Sequence, residues 1–315
     1  MICLIALIVF GILGIFSASY RQVAKEAFIC VFRRATLRKC ETGLDVRLKS
    51  KIISKIAPKF PRIGKFLYKY FEVFSWFFVV LFFASLAYSA YSGYNFWKYG
   101  NCYGPQDNGG FCPLTLLEGE RYSRISSQYN GTIVYPSVGN AATIGSPDAP
   151  VTIIEFGCFV CSNTKKAEAT VQKVLNNYKG KVYYAYRDLP IESHLNAVLS
   201  SEVAYCAKAQ GKYWEYHNMI FKNQEVLMKL DEESAKEWFI SKAGELGLDE
   251  NNFGECLANH TYLNQIEKDF EDGLSTGVTA TPTFFVNNQS IIGCLPYGAF
   301  EAAINSELKK AGING

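Results

Sequence analysis

The chain has 315 residues, 49% hydrophobic and 19% charged, with 23 Phe and 20 Tyr. That is too apolar for disorder and too interrupted for a many-span transporter. The net charge of +3 averages two unlike parts: residues 17–72 hold 14 Lys or Arg against 4 Asp or Glu, leaving 18 against 25 elsewhere. The larger part is therefore acidic, which argues against a nucleic-acid role.

Two runs are apolar enough to cross a bilayer. Met1 to Tyr20 carries no charge over 20 residues, and a helix of that length, at about 1.5 Å per residue, matches a hydrocarbon core of about 30 Å. Val73 to Trp97 carries none over 25, with Trp76 near one end and Tyr94, Phe96 and Trp97 near the other, as in an aromatic belt. The basic stretch between them belongs in the cytoplasm by the positive-inside rule. The expected order is a membrane anchor over 1–98 (spans at about 1–20 and 73–97, basic cytoplasmic loop 21–72), an extracytoplasmic linker over 99–146, and a globular domain over 147–315. A cleaved leader ending at Ser17-Ala18-Ser19 is disfavoured, since no basic residue precedes Ile2 and cleavage would export a strongly basic segment ahead of the second run.

The linker is rich in Gly, Pro, Ser and Asn, and a Cys102–Cys112 bridge would staple it. Beyond it, Val151–Phe156 predicts a buried strand, Cys161–Tyr178 a helix and Lys181–Arg187 a second strand, giving a parallel pair with a right-handed crossover. A long helical region follows over His194–Thr276. Thr283–Val286 and Ser290–Gly293 then form two short strands turned at Asn287-Asn288, and Tyr297–Lys310 a closing helix. The fold class is an α/β sandwich with a helical insertion, preceded by two transmembrane helices.

Seven of the ten cysteines lie after Trp97: Cys102, Cys112, Cys158, Cys161, Cys206, Cys256 and Cys294. Disulfides persist outside the cytoplasm, and an odd number leaves one thiol unpaired or one bridge transient. Sequons at Asn130, Asn259 and Asn288 are weak further signs of export. Cys158-Phe159-Val160-Cys161 falls at the turn between the first core strand and its helix. Two thiols so spaced can close a small disulfide, and a helix N-terminus stabilises a thiolate. Zinc needs four ligands; no second Cys-x-x-Cys or His pair accompanies this one, and His194, His217 and His260 are not spaced for a metal or a triad. No metal and no cofactor are expected. An inert bridge is the plainer alternative to redox chemistry.

The chain resembles the DsbA-like thioredoxin-fold thiol-disulfide oxidoreductases over about 141–308. The matching residues are Ala149-Pro150-Val151 leading into Glu155-Phe156, the cysteine motif, Arg187-Asp188-Leu189-Pro190 with His194 and Ala197, the Cys206 to His217 helix pair, and Gly277 to Val286. The resemblance implies a membrane-tethered, redox-active enzyme of protein folding whose partners are thiol-containing exported proteins and a membrane partner that re-oxidises or reduces it. It implies that Pro282 is a cis-proline facing the cysteines, with Thr281 before it, presenting backbone groups to an extended substrate. It further implies a structural Cys206–Cys256 bridge and places Cys294, after Gly293, in a loop flanking the active site, where it is either a third thiol within reach of Cys161 or Cys158 or a buried small hydrophobe. Glu155 would be a buried carboxylate of raised pKa that passes protons to the less exposed thiol.

The motif departs from the family in register. Counting from Glu155, the nucleophile position falls on Cys161 and the resolving position on Thr164, so Cys158 stands one turn upstream. Either Cys161 attacks and Cys158 resolves from upstream, or the loop is three residues shorter and Cys158 attacks. The first keeps Glu155 and the helix start in register. A reductase or isomerase on the same fold, and a non-catalytic assembly or binding module, are the competing functions.

Overall fold

The computed structural model describes residues 2–36, 43–56, 58, 60–105, 112–117, 121–125, 131 and 134–313. It divides into two units, Met1–Tyr91 and Ser92–Gly315.

The first unit leaves the expected first span unconfirmed and shows different helix bounds. Helix α1 (Ile2–Phe16) stops before Ser17, and α2 (Ala18–Ala35) packs back along it, burying Ala6 with Ala27 and Cys3 with Cys30. The Arg21 Nε donates to the Gly14 carbonyl at 2.8 Å, tying the turn. The uncharged run of 1–20 is thus two helices, because its small polar residues Ser17 and Ser19 fall where the chain reverses. At 15 residues, α1 reaches only about 22 Å at the usual helical rise. After α3 (Leu44–Ile56), α4 runs from Pro61 to Tyr99. Among the described residues, its stretch Lys65–Tyr99 is the one helix long and apolar enough to cross a membrane. It contains all of the expected second span, 73–97.

The second unit is built on a five-stranded sheet in the order β2-β4-β3-β6-β7. These are Ala142–Ile144, Val182–Asp188, Val151–Gly157, Thr283–Val286 and Gln289–Ile292. Strand β3 is central, parallel to β4 (Val151 opposite Val182, Gly157 opposite Asp188) and antiparallel to β6 (Phe156 opposite Thr283). Its side chains alternate between two covered faces, Val151 and Ile153 on one and Ile154 and Phe156 on the other, so apolar residues serve both faces, with Thr152 and Glu155 as the polar exceptions. Helix α5 (Ser162–Asn177) connects β3 to β4 and buries Thr164, Ala167, Val171 and Val174, a helical stripe. The hairpin from β6 to β7 turns at Asn287, whose φ of +48° suits a tight two-residue connection, and α12 (Tyr297–Lys310) closes the sheet. A two-stranded pair, β1 (Ser123–Arg124) with β5 (Ala280–Thr281), stands beside it.

The linker differs from the open tether expected over 99–146. Its residues supply β1 and the edge strand β2, and a disulfide joins Cys102 to Cys112 with Cα atoms 5.5 Å apart. Local polarity concealed these strands because both are short and pair with distant residues.

Between β4 and β5 lie α6 (Ala197–Ala209), α7 (Tyr213–Lys222), α8 (Gln224–Leu227), α9 (Glu232–Glu245), α10 (Glu250–Ala258) and α11 (Leu263–Ser275). Asp231 and Asp249 cap α9 and α10 by accepting the N–H of Ser234 and Asn252. A disulfide joins Cys206 on α6 to Cys256 on α10, Cα to Cα 6.0 Å. The insertion is fastened to the sheet by Arg187 of β4, almost fully buried, which donates to Asp269 and Asp272 on α11; Asp269 also accepts from the Tyr205 hydroxyl. Removing one partner of a buried pair leaves the other charge stranded. Asp269→Ala should therefore destabilise the unit by about 3 kcal/mol, read as a lowered urea midpoint of the detergent-solubilised chain.

Candidate active site

The site forms where β3 ends. Gly157 is required there because a Cβ would lie 2.6 Å from the Tyr186 hydroxyl. The chain then turns through Cys158-Phe159-Val160-Cys161, closed by the Cys161 N–H donating to the Cys158 carbonyl at 3.0 Å. Such a turn holds its ends within about 7 Å, within reach of a disulfide; both sulfurs are thiols here. Cys161 is the N-cap of α5. Gln224 on α8 fixes the turn by donating to the carbonyls of Phe159 (2.7 Å) and Cys161 (3.0 Å).

The two buried thiols face different groups. Cys161 Sγ lies 3.2 Å from Ser123 Oγ and 3.9 Å from the carbonyl of Thr281, which is joined to Pro282 by a cis peptide. Cys158 Sγ lies 3.7 Å from His194 Nδ1, and its N–H reaches Thr164 Oγ1 at 3.5 Å. Burial pushes the Cys158 thiol up to about 12 and lowers the pKa of half-buried His194, so a protonated thiol faces a neutral imidazole. Thr164 lies in the first turn of α5, fully buried, and brings no sulfur to the site.

Beneath α5 is a layer of buried acids. Burial, and then the charge of Glu168, hold Glu155 well above the ordinary carboxylate range, partly offset by a 2.6 Å hydrogen bond donated by the Tyr184 hydroxyl. A charge on Cys161 pushes the same way. Burial raises Glu168 to about 8 and lowers His217, 4.0 Å from it, to about 4. Cys294 is half-buried: its Sγ is 3.9 Å from Asn163 Oδ1, whose amide in turn reaches Ser123 Oγ at 3.4 Å, and burial raises its thiol.

The structure thus gathers Cys158, Cys161, Thr281 and Pro282 at one turn, with Cys294 one side chain removed and Glu155 in the layer below. Cys206, Cys256, Cys102 and Cys112 lie in their bridges away from it. Ser123, His194, Gln224 and Glu168 are additions that sequence reasoning did not assign to the site. Among the described residues no group of three or more His, Cys, Asp or Glu is arranged to hold a metal ion.

Residues 137–306, more than half of the chain, match the family described as Thioredoxin. The chain belongs to the thioredoxin family. Its thioredoxin domain is 27% identical over 186 residues to the disulfide bond formation protein D of Bacillus subtilis, covering 55% of this chain and 80% of that protein. The solved structure of oxidised BdbD from Bacillus subtilis superposes with a TM-score of 0.51 at 23% identity, over 59% of this chain and 99% of that one, and shows the same fold. A stretch of the Na(+)/H(+) antiporter NhaA 3 of Salinispora tropica is 33% identical over 168 residues, covering 53% of this chain. The chain spans only 24% of that relative's length.

The acid layer gives the thioredoxin domain a pH signature. Glu168 keeps its proton in the folded state up to about 8, while the unfolded chain has already lost it above its ordinary pKa. Stability therefore falls as pH rises through this interval and levels off beyond it. Thermal unfolding of the full chain should show Tm falling from pH 7 to 8, with a shallower slope in Glu168→Gln; the slope that remains comes from Glu155 and Asp188, which burial also holds well above the carboxylate range, while His217, neutral in the fold but partly protonated in the unfolded chain near pH 6.5, opposes the fall at that end.

Proposed function

We propose that the thioredoxin domain is an extracytoplasmic thiol-disulfide oxidoreductase that exchanges disulfides with exported proteins through Cys158 and Cys161. The observation carrying this reading is the placement of Cys161 at the N-cap of α5, its sulfur toward the carbonyl that precedes cis-Pro282, with a second thiol one closed turn upstream. In the oxidising direction a client thiolate attacks Cys161 of the Cys158–Cys161 disulfide. The S–S bond breaks, Cys158 leaves and takes up a proton, and a client–Cys161 mixed disulfide forms. A second client thiolate attacks the client sulfur and expels Cys161, so the client is oxidised by two electrons and the domain is left with two thiols. A separate membrane partner takes these electrons.

In the reverse direction Cys158 resolves the mixed disulfide, and His194 Nδ1 is the group within reach of its proton. Thr281 and Pro282 offer backbone to the client strand. Glu155, held protonated, is the proton store for the less exposed thiol, Cys158, and Cys294 stands by as a third thiol. Helix α4 anchors the chain, with the basic residues of 21–72 in the cytoplasm and the residues after 99 outside. A reductase or isomerase uses the same atoms at a lower potential.

Cys158→Ser should trap the mixed disulfide on Cys161, while Cys161→Ser should form none and lose turnover altogether, as seen by non-reducing electrophoresis with a cysteine-bearing client. Redox titration in glutathione buffers with alkylation mapping decides direction: a Cys158–Cys161 potential near or above about −180 mV marks a disulfide donor and one below about −250 mV a reductase, whereas a bridge below about −300 mV is structural and ends the proposal. Protease added to intact spheroplasts should cut the region after 99 and spare 21–60; the opposite pattern would place the site in the cytoplasm.

A further inference from the structure

The edge that faces Cys161 is already filled by the chain itself. Strand β1 pairs antiparallel with β5, Ser123 opposite Thr281 and Arg124 opposite Ala280. The Ile125 N–H donates to the Thr279 carbonyl at 3.0 Å, and on the other side the Cys294 N–H donates to the Arg121 carbonyl at 2.9 Å. Two backbone segments, at 279–281 and 293–294, thus hold one extended segment between them. The fit is close: Gly293 has φ +90°, and a Cβ there would stand 2.8 Å from the Arg121 carbonyl oxygen. At the centre lies Ser123, whose hydroxyl accepts from the Cys161 thiol at 3.2 Å and from the Asn163 amide at 3.4 Å. With this segment in place Cys161 has no exposure to solvent.

A serine differs from a cysteine by one atom, so Ser123 puts an unreactive oxygen where an incoming sulfur would have to be. A ladder of two residue pairs is also too short to be stable by itself. It holds because its ends are tied, and a longer extended segment can make the same bonds in its place.

We propose that residues 121–125 are a built-in substrate mimic: they occupy the client-binding edge with Ser123 in the position of the client's cysteine, and a client enters as an extended, cysteine-bearing segment that displaces them. This rests on the exchange function proposed above, and it adds the mode of entry and a check on it. Unfolded clients, whose cysteines lie in segments free to extend, are selected; folded proteins with a cysteine on a helix are not.

Two variants of the full chain in detergent test this. In Ser123→Cys combined with Cys158→Ser, which removes the competing resolving thiol, oxidised glutathione should produce a disulfide between the introduced thiol and Cys161: Cys161 thiolate attacks glutathione disulfide and releases one glutathione, then the introduced thiolate attacks the Cys161 sulfur and releases the second. In Ile125→Pro the N–H that bonds to Thr279 is gone, and iodoacetamide should modify Cys161 faster by about fivefold or more, given the loss of one hydrogen bond that holds the segment. Fragment-ion mapping separates Cys161 from Cys158, and persistence of the Cys206–Cys256 bridge with an unchanged thermal transition shows that the domain is intact. An unchanged Cys161 rate in Ile125→Pro, or a failure of the thiol introduced by Ser123→Cys to bridge, overturns the proposal. The two readings fail separately. If Ile125→Pro exposes Cys161 yet the domain never exchanges with a peptide carried as its glutathione mixed disulfide, the mimic stands and the enzyme reading falls. If wild type and Ile125→Pro exchange equally fast, the enzyme stands and the mimic falls.

Discussion

Everything at the site depends on how β3 ends. The strand is clamped between β4 and β6, both its faces are covered, and it has no freedom to shift register without moving its apolar side chains to the wrong face. Its last residue must be glycine to clear Tyr186, and the turn that follows is held by its own hydrogen bond and by Gln224 from the helical insertion. This rigid turn, and not the sequence spacing alone, gives the two thiols different surroundings. Cys158 stays inside, protonated, against His194, while Cys161 begins the helix and faces Thr281.

The insertion is therefore more than a lid over the sheet. Its first helices bring Gln224 to the turn and its last brings Asp269 and Asp272 to Arg187, one residue before Asp188 at the end of β4. Loosening the α11 contact would act on the strand that neighbours β3 along its whole length. The acids under α5 add a second constraint. Glu155 and Glu168 cannot both ionise cheaply in so dry a layer, and a charge on Cys161 opposes a charge on Glu155. The proton held on Glu155 is thus linked to the charge state of Cys161 by field.

Much of this was legible in residues that report on their own surroundings. The alternation in β3, the stripe on α5, the Asn287-Asn288 turn and the cysteine motif all carry local signals. The break at Ser17 was not legible, because an uncharged run of the right length reads as a span whether or not the chain reverses within it. The pairing of β1 was equally hidden: two residues in a polar stretch have no periodicity to detect, and their partners lie far along the chain. Glu168 and Gln224 looked like ordinary helical residues because their meaning comes from what lies across the fold from them.

The end of α4, from Ser92 onward, and the segment between α4 and β2 belong to the second unit. The last turn of α4 is docked in the thioredoxin unit, where Gly298 on α12 is needed because a Cβ would stand 2.2 Å from the Lys98 carbonyl. From there the chain passes Gly100, whose carbonyl accepts from the Arg121 side chain, and Arg121 itself opens the segment that covers Cys161. Anchor end, bridged linker and substrate mimic are thus consecutive parts of one short stretch. A mobile segment of Gly and Ser in the same place would leave Cys161 open to any thiol. Tying the same stretch across the site limits reaction to segments that can replace a strand, and limits it without another protein.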